Sequence, residues 1–314
     1  MPQPPKPDVF SLFDPILNAA DNTTSPWVRS RYVPELDLLR ELLSLPISTG
    51  EKQESGRVAK ALDAWVAHEL RRAGFPPGAV WPRTRRPRVL PDDAAPLEEG
   101  IEALGKALAD AEAQGDKIKP AALRRAIRAL DGKLPGAPEA YILGDFYAKQ
   151  IDVAISSWRR GPDVLISTKT MFSSYRKNLK NRHEEAVGEV MSLRARHPMA
   201  TMGYAYLVRR NVFEEEGAYA ILYDILERLR RPGEAFDATL LLVADWDDHA
   251  TPPQVTSIDQ PAEVLDASRF FEDIVEYVTD RSPIKEHVEV RRRRAPEPVG
   301  GLPDEEDPPD DDDE

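Results

Sequence analysis

Residues 150–170 read QIDVAISSWRRGPDVLISTKT, and the reading of this stretch decides the fold. FYAKQIDVAISSW, beginning at Phe146, is apolar and partly alternating, which predicts a strand; WRRGP predicts a turn, and DVLISTKT a second strand rich in β-branched residues. Asp152 lies inside the first strand, where a carboxylate is costly unless it is paired, hydrogen-bonded or bound to metal. Lys169 ends the second strand, 17 positions later. A tight hairpin would place both side chains at the same end of a sheet.

Downstream the period alternates. A helix is predicted from about Ser174 to Arg196, closed by His197 and Pro198, and ATMGYAYLVRR reads as a third strand. GAYAILYDILERLRR is an amphipathic helix ended by Pro232-Gly233, FDATLLLVADWDD a buried strand, and ASRFFEDIVEYVTDR a final helix. This order predicts an α/β fold with a mixed β-sheet flanked by helices. Upstream, helices are expected through PELDLLRELLSL, through ESGRVAKALDAWVAHELRRAG, from Leu97 to about Gln114, and from Pro120 to Leu130. FPPGAVWPRTRRPRVLPDDAAP between them is too rich in proline for a regular element. The expected organisation is a mainly helical N-terminal domain over 1–131, an α/β domain over 132–290, and a disordered basic-then-acidic tail over 291–314.

The chain has 314 residues, 41% hydrophobic and 31% charged, with no run apolar enough to span a membrane and no basic, apolar leader at MPQPPKPDVF. A cytoplasmic location is expected. With no cysteine, disulfides, thiolate zinc, iron–sulfur clusters and cysteine nucleophiles are excluded. The net charge is -13, but the last eleven residues hold nine of the 55 acids, so the body is near balance. No phosphate-binding glycine loop, G-x-S-x-G elbow or closely spaced histidine pair is present.

An Asp-bearing strand, a hairpin to a strand ending in x-x-Lys, then helix, strand and helix is similar to the core of the PD-(D/E)XK nuclease superfamily. The resemblance covers about half the chain and implies a restriction-endonuclease-like sheet. It also implies a Mg²⁺-dependent endonuclease (Mn²⁺ in its place) that hydrolyses DNA phosphodiester bonds in prokaryotic defence or DNA processing. Partners implied are DNA and a second copy or a defence-system protein. The pattern asks for an acid two residues before the lysine, where this chain has Ser167 in Ser167-Thr168-Lys169. Some restriction enzymes of the superfamily carry serine there and take the acid from the following helix.

That helix offers RKNLKNRHEEAVGEV. At ~100° per residue, Tyr175, Leu179, Ala186, Val190 and Leu193 group within about 40° on the buried side, and Glu184 points about 140° away. Glu189 and Glu185 occupy one shoulder, near ~80° and ~120°. Glu185 is the first choice for the missing acid and Glu189 the second, with His183 nearer to it by simple counting. In the mechanism the resemblance implies, Asp152, the helix glutamate and the carbonyl of Thr168 hold one or two Mg²⁺, and Lys169 orients water or offsets phosphorane charge. Glu139, placed on a helix before the first strand, is a further ligand candidate.

Arg159 and Arg160 in the hairpin, and Arg176, Lys177, Lys180 and Arg182 on the helix, flank this site and are expected to contact phosphate. Arg83, Arg85, Arg86 and Arg88 in the connector, and Arg291 to Arg294, form further basic clusters. Each set has a plainer reading: a strand salt bridge for Asp152 and Lys169, a solvated helix face for the glutamates, solvated surface for the bases. Asp163 reads as a turn or strand-start residue, and Asp245, Asp247 and Asp248 as a strand-end turn. The alternative function is a non-catalytic DNA-binding or assembly subunit of the same fold whose metal site has decayed. A more distant one is a protein-interaction factor.

Overall fold

The computed structural model describes residues 8–20, 24–50, 56–116, 118–130, 133, 136–157, 161–231 and 233–282. In chain order the elements are α1 (Asp14–Ala19), β1 (Trp27–Val28), β2 (Arg31–Tyr32), α2 (Leu36–Ser48), α3 (Arg57–Arg72), β3 (Val80–Trp81), α4 (Ala95–Ala113) and α5 (Lys119–Leu130). These are followed by β4 (Ala140–Leu143), β5 (Ala148–Ile151), β6 (Val153–Ser157), β7 (Gly161–Met171), α6 (Tyr175–Arg196), β8 (Thr201–Arg209), α7 (Ala218–Leu229), β9 (Ala238–Trp246), β10 (Val255–Asp259) and α8 (Ala267–Arg281).

Six strands form a mixed sheet in the order β10-β9-β8-β7-β6-β3. The middle strands β7, β8 and β9 run parallel, joined through α6 and α7, while β6 and β10 run antiparallel to their neighbours. Parallel strands covered on both faces read as continuous apolar runs, and this is what TMGYAYLVR and ATLLLVADW show: seven or more consecutive buried residues each. The sheet is thus the middle of three layers.

One face carries α2, α3 and α8, whose Leu39, Leu62, Trp65, Phe270 and Phe271 pack with Val164, Ile166, Ala205 and Leu240. The other carries α6 and α7, whose Leu179, Val190, Leu222 and Leu226 pack with Leu165, Met202, Tyr204 and Leu241. The first of these cores draws on residues from both sides of position 131. Gly203 lets α8 settle on β8, because a Cβ there would stand 2.8 Å from Ile166 and 3.2 Å from Phe270 and Ile274. No helix among the described residues is long and apolar enough to cross a membrane.

Three local expectations are corrected. The proline-rich connector does contain a strand: β3 pairs Val80 with Ile155 and Trp81 with Ala154, at the sheet edge where proline neighbours cost no ladder bond. The run from Phe146 is not one strand. It breaks at Asp152 into β5, which pairs with β4 in a separate two-stranded sheet, and β6, which joins the central one. Glu139 therefore sits on a bend leading into β4 rather than on a helix, and its carboxylate accepts from the hydroxyl of Tyr141.

Candidate functional site

β7 alternates its side chains between the two helical layers. Val164 and Ile166 belong to the core under α3, as does the side of Thr168, whereas Leu165, Ser167, Lys169 and Met171 face α6. The antiparallel register pairs Val153 with Ile166, so Asp152, one step before it, stands opposite Ser167. Its Oδ2 accepts a 3.0 Å hydrogen bond from the backbone N–H of Thr168, which fixes the carboxylate at the break between β5 and β6.

The α6 side brings the expected residues together. Ser167 Oγ donates to Glu189 Oε1 at 3.1 Å, and Lys169 Nζ lies 3.9 Å from Glu185 Oε1. Burial raises the pKa of Glu189 against the pull of Lys169 and the Ser167 hydroxyl, with Asp152 adding to the rise. Glu185 is more exposed; burial opposes it, but Arg182, bonded at 2.7 Å, and Lys169 hold its pKa below the ordinary value. Glu184 points outward and pairs with Lys180 at 3.8 Å. His183 is half-buried with Nδ1 lacking a hydrogen-bond partner. The orientation of α6 is set by Glu215, whose two oxygens accept from the N–H groups of Tyr175 (2.9 Å) and Arg176 (2.8 Å), capping the helix where Ser174 provides no side-chain cap.

Two groups of residues in the site lay outside the sequence reading. On the α3 face, Asp63 is fully buried, takes the hydroxyl bond of Thr168, and pairs with Lys60 at 2.7 Å. Lys60 also lies 3.5 Å from Asp152 Oδ1, so the ammonium joins two carboxylates. Burial pushes Asp63 up to about 6, opposed by Lys60 and reinforced by Asp152. Burial works against the charge on Lys60, yet Asp63 and Asp152 hold its pKa above the ordinary value. Beneath α6, Tyr204 and Tyr206 on β8 stand in register with Ser167 and Lys169, their hydroxyls buried without hydrogen-bond partners. The sequence signal for Asp63 was a carboxylate flanked by Leu62, Trp65 and Val66 on the apolar stripe of α3.

A cavity of about 990 Å³ opens beside Asp152 and Lys60, walled by Phe10, Trp81, Pro87, Val89 and the base of the β4–β5 hairpin. Asp152 stands at the wall of this cavity, whereas Ser167 and Glu189 line a separate small recess under α6 with Ile151, Leu165 and Met202; carboxylates and a hydroxyl are oxygen ligands of the kind a hard divalent cation takes. No family model, curated protein or solved structure matches the chain.

Other sequence candidates are placed elsewhere or neutralised. Arg83 and Arg88 are buried; Arg83 pairs with Glu98, and Arg88 with Asp8 and Asp14. Arg85 pairs with Glu98 and Glu102, and Arg86 with Asp8, so the connector cluster is an internal ion-pair network rather than a free basic patch. Arg176 and Lys177 are exposed near the start of α6, Lys180 faces Glu184, and Arg182 is engaged by Glu185. Arg159, Arg160, Arg291 to Arg294 and the acidic tail lie outside the described residues. Asp163 is the third residue of β7, Asp245 pairs with Arg210 (3.0 Å), and Asp248 with Arg209 (2.7 Å). Glu35, His68 and Glu69 offer ligand atoms within 4.8 Å of one another, but the Arg72 guanidinium already stands among them, 2.8 Å from Glu69 and 3.7 Å from Glu35.

Proposed function

We propose that this chain is a Mg²⁺-dependent endonuclease that hydrolyses DNA phosphodiester bonds, with Mn²⁺ able to replace Mg²⁺ and with a restriction-endonuclease-like core of the PD-(D/E)XK type. The observation that carries the reading is the inward turn of α6: Glu189 meets the serine that stands in place of the motif acid, and Glu185 reaches the motif lysine. A part in prokaryotic defence or DNA processing belongs to the same proposal and rests on the resemblance to restriction enzymes.

In this reading Asp152 and Glu189 would hold the ion, with Ser167 and the carbonyl of Thr168 beside them; Glu189 takes the place first expected of Glu185, which is engaged by Arg182 and Lys169. Bound there, Mg²⁺ supplies Lewis-acid charge and a water of lowered pKa. Lys169, on the same face of β7 as Ser167, orients the attacking water and offsets charge growing on the phosphate oxygens. Glu185 and Arg182 hold the Lys169 ammonium at the strand end. Lys60 bridges Asp152 and Asp63 from the opposite face of the sheet. Arg176, Lys177 and Lys180 extend positive charge along α6 for the DNA backbone. Two-strand cutting needs two such sites, so a homodimer or a partner protein is part of the proposal.

The second reading, a non-catalytic DNA-binding or assembly subunit, is favoured by one contact. The Lys60 ammonium beside Asp152 supplies positive charge where a cation would, as a decayed metal site would require. Plasmid cleavage in Mg²⁺ or Mn²⁺ by wild type, Asp152→Ala and Lys169→Ala separates the two. Cutting lost in both variants supports the nuclease, cutting unaffected by either rejects the assignment, and binding without cutting by all three selects the second reading.

A further inference from the structure

We propose that the β4–β5 hairpin is a stacking element for unpaired bases of single-stranded DNA leading to or from the Asp152 site, an inference that rests on the nuclease reading. The hairpin pairs Tyr141 with Gln150 and Leu143 with Ala148, which sets those four on its outer face. Ala140 and Ile151 face inward and are buried. At the outer face and tip, Tyr141 is 59% exposed, Leu143 45%, Phe146 86% and Tyr147 58%. Tyr141 and Leu143 lie on the outer face, whereas Phe146 and Tyr147 crown the tip with Lys149 beside the Tyr147 ring, and aromatic rings left this exposed mark a binding surface.

The tip is held in place rather than free to fold back. The N–H of Asp145 donates to Ser192 Oγ at 3.2 Å, and His197 Nε2 bonds the carbonyl of Leu143 at 2.8 Å. Gly144 lies so close to α6 that an added Cβ would stand 2.5 Å from Ser192 Oγ. Exposed rings on a fixed support can accept a flat partner at little ordering cost.

Chemistry and position select nucleic acid as that partner. The Lys149 ammonium lies 4.6 Å from the Tyr147 ring centre, so a π-face and a phosphate-neutralising cation are presented together, the pairing that single-strand binders use. The charge of Lys149 also reaches the α6 carboxylates, opposing the rise at Glu189 and adding to the lowering at Glu185. β5 runs directly into Asp152, which places Tyr147 and Phe146 about 17 to 20 Å along the strand from it at ~3.3 Å per residue. A protein partner fits less well: at ~200 Å² per side chain the four residues expose on the order of 500 Å², below the ~800 Å² per partner of a stable interface.

The test is binding of the full chain, in EDTA to prevent cutting, to a fluorescein-labelled single-stranded oligodeoxynucleotide and to its duplex, by anisotropy. Phe146→Ala/Tyr147→Ala should weaken single-strand binding roughly 10- to 100-fold, change duplex binding much less, and leave the salt slope as it was because no charge is removed. Phe146→Tyr/Tyr147→Phe, which keeps both rings, should bind as wild type. Equal single-strand affinity in the alanine variant overturns the proposal. So does a wild-type dimer that becomes a monomer in the alanine variant by sedimentation with DNA binding intact, which would make the hairpin a contact between copies. If Asp152-dependent plasmid cutting persists in either case, the nuclease reading survives and only the hairpin inference falls. A wild type that neither binds nor cuts ends both.

Discussion

Ser167 and Glu189, 22 positions apart, are joined by a hydroxyl-to-carboxylate hydrogen bond of 3.1 Å across the space between β7 and α6. In the proposed reading, this contact lets the next helix serve the strand position where the motif acid is missing. The two positions are expected to be exchangeable in part.

Glu189→Gln should lower cleavage at least about 100-fold, since a metal-holding charge is worth several kcal/mol in the transition state, while Ser167→Asp in the same background should restore a measurable part of it. Burial and Asp152 raise the Glu189 pKa, and a cation requires the ionised form. Mn²⁺ affinity measured by calorimetry should therefore fall as the pH is lowered, beginning above the ordinary carboxylate range, with proton release on binding. In Glu189→Gln both effects should shrink. A double variant as inactive as the single one, or a proton release unchanged by Glu189→Gln, would detach Glu189 from the metal.

Lys169 is placed to act on charge that develops during reaction. Lys169→Ala should lower kcat about 10²- to 10³-fold with KM changed only a few-fold. Lys169→Arg should rescue little, because a planar fork does not reproduce a compact ammonium. A KM that rises as much as kcat falls would assign Lys169 to substrate binding instead.

Glu215 touches none of the proposed reacting groups, yet it caps the helix that delivers Glu185 and Glu189. Glu215→Ala should cost about 1 kcal/mol in urea unfolding at unchanged m. Cleavage should fall by more than that stability loss explains, with Mn²⁺ affinity falling alongside. Glu215→Gln, which keeps an acceptor oxygen, should recover much of both. Wild-type metal affinity in Glu215→Ala would show that the rest of the packing suffices to place α6.

Glu69 provides a check on the buried electrostatics of the α3 face. Burial pushes its carboxyl up to about 7, against the pull of Arg72 and the Tyr32 hydroxyl. A folded-state pKa above the ordinary value of 4.5 means that the folded chain binds more protons than the unfolded one. The contribution of Glu69 is therefore fullest below 4.5 and is lost as the pH rises through about 7. Relative to Glu69→Gln, wild type should lose stability between about pH 5 and about pH 8 in urea titrations. A difference that does not change with pH would mean the carboxyl ionises as it does in water.

The alternation of strands and helices after Phe146 was legible because each element is long and strongly periodic, and Tyr175, Leu179, Ala186, Val190 and Leu193 are buried as the helical wheel predicts. Glu184, expected to face away, is exposed. What the sequence hid is non-local. Asp63 meets Thr168 across 105 positions, and no window along the chain contains both. The break at Asp152 was hidden as well, since β5 and β6 are equally strand-like and only their different partners, β4 and β7, separate them. The connector arginines looked like a phosphate-binding cluster because their acids, Asp8, Asp14 and Glu98, lie in other segments.

Neighbouring residues of β7 send Thr168 to one helical layer and Ser167 and Lys169 to the other. A slip of one position would exchange the two sets, burying an ammonium against Asp63 and leaving a threonine with Glu185. The groups assigned to cutting thus meet only in a correctly paired sheet. Under the proposed nuclease reading, a nascent or misassembled chain would hold no assembled centre, and cutting would wait until β7 had paired in its proper register.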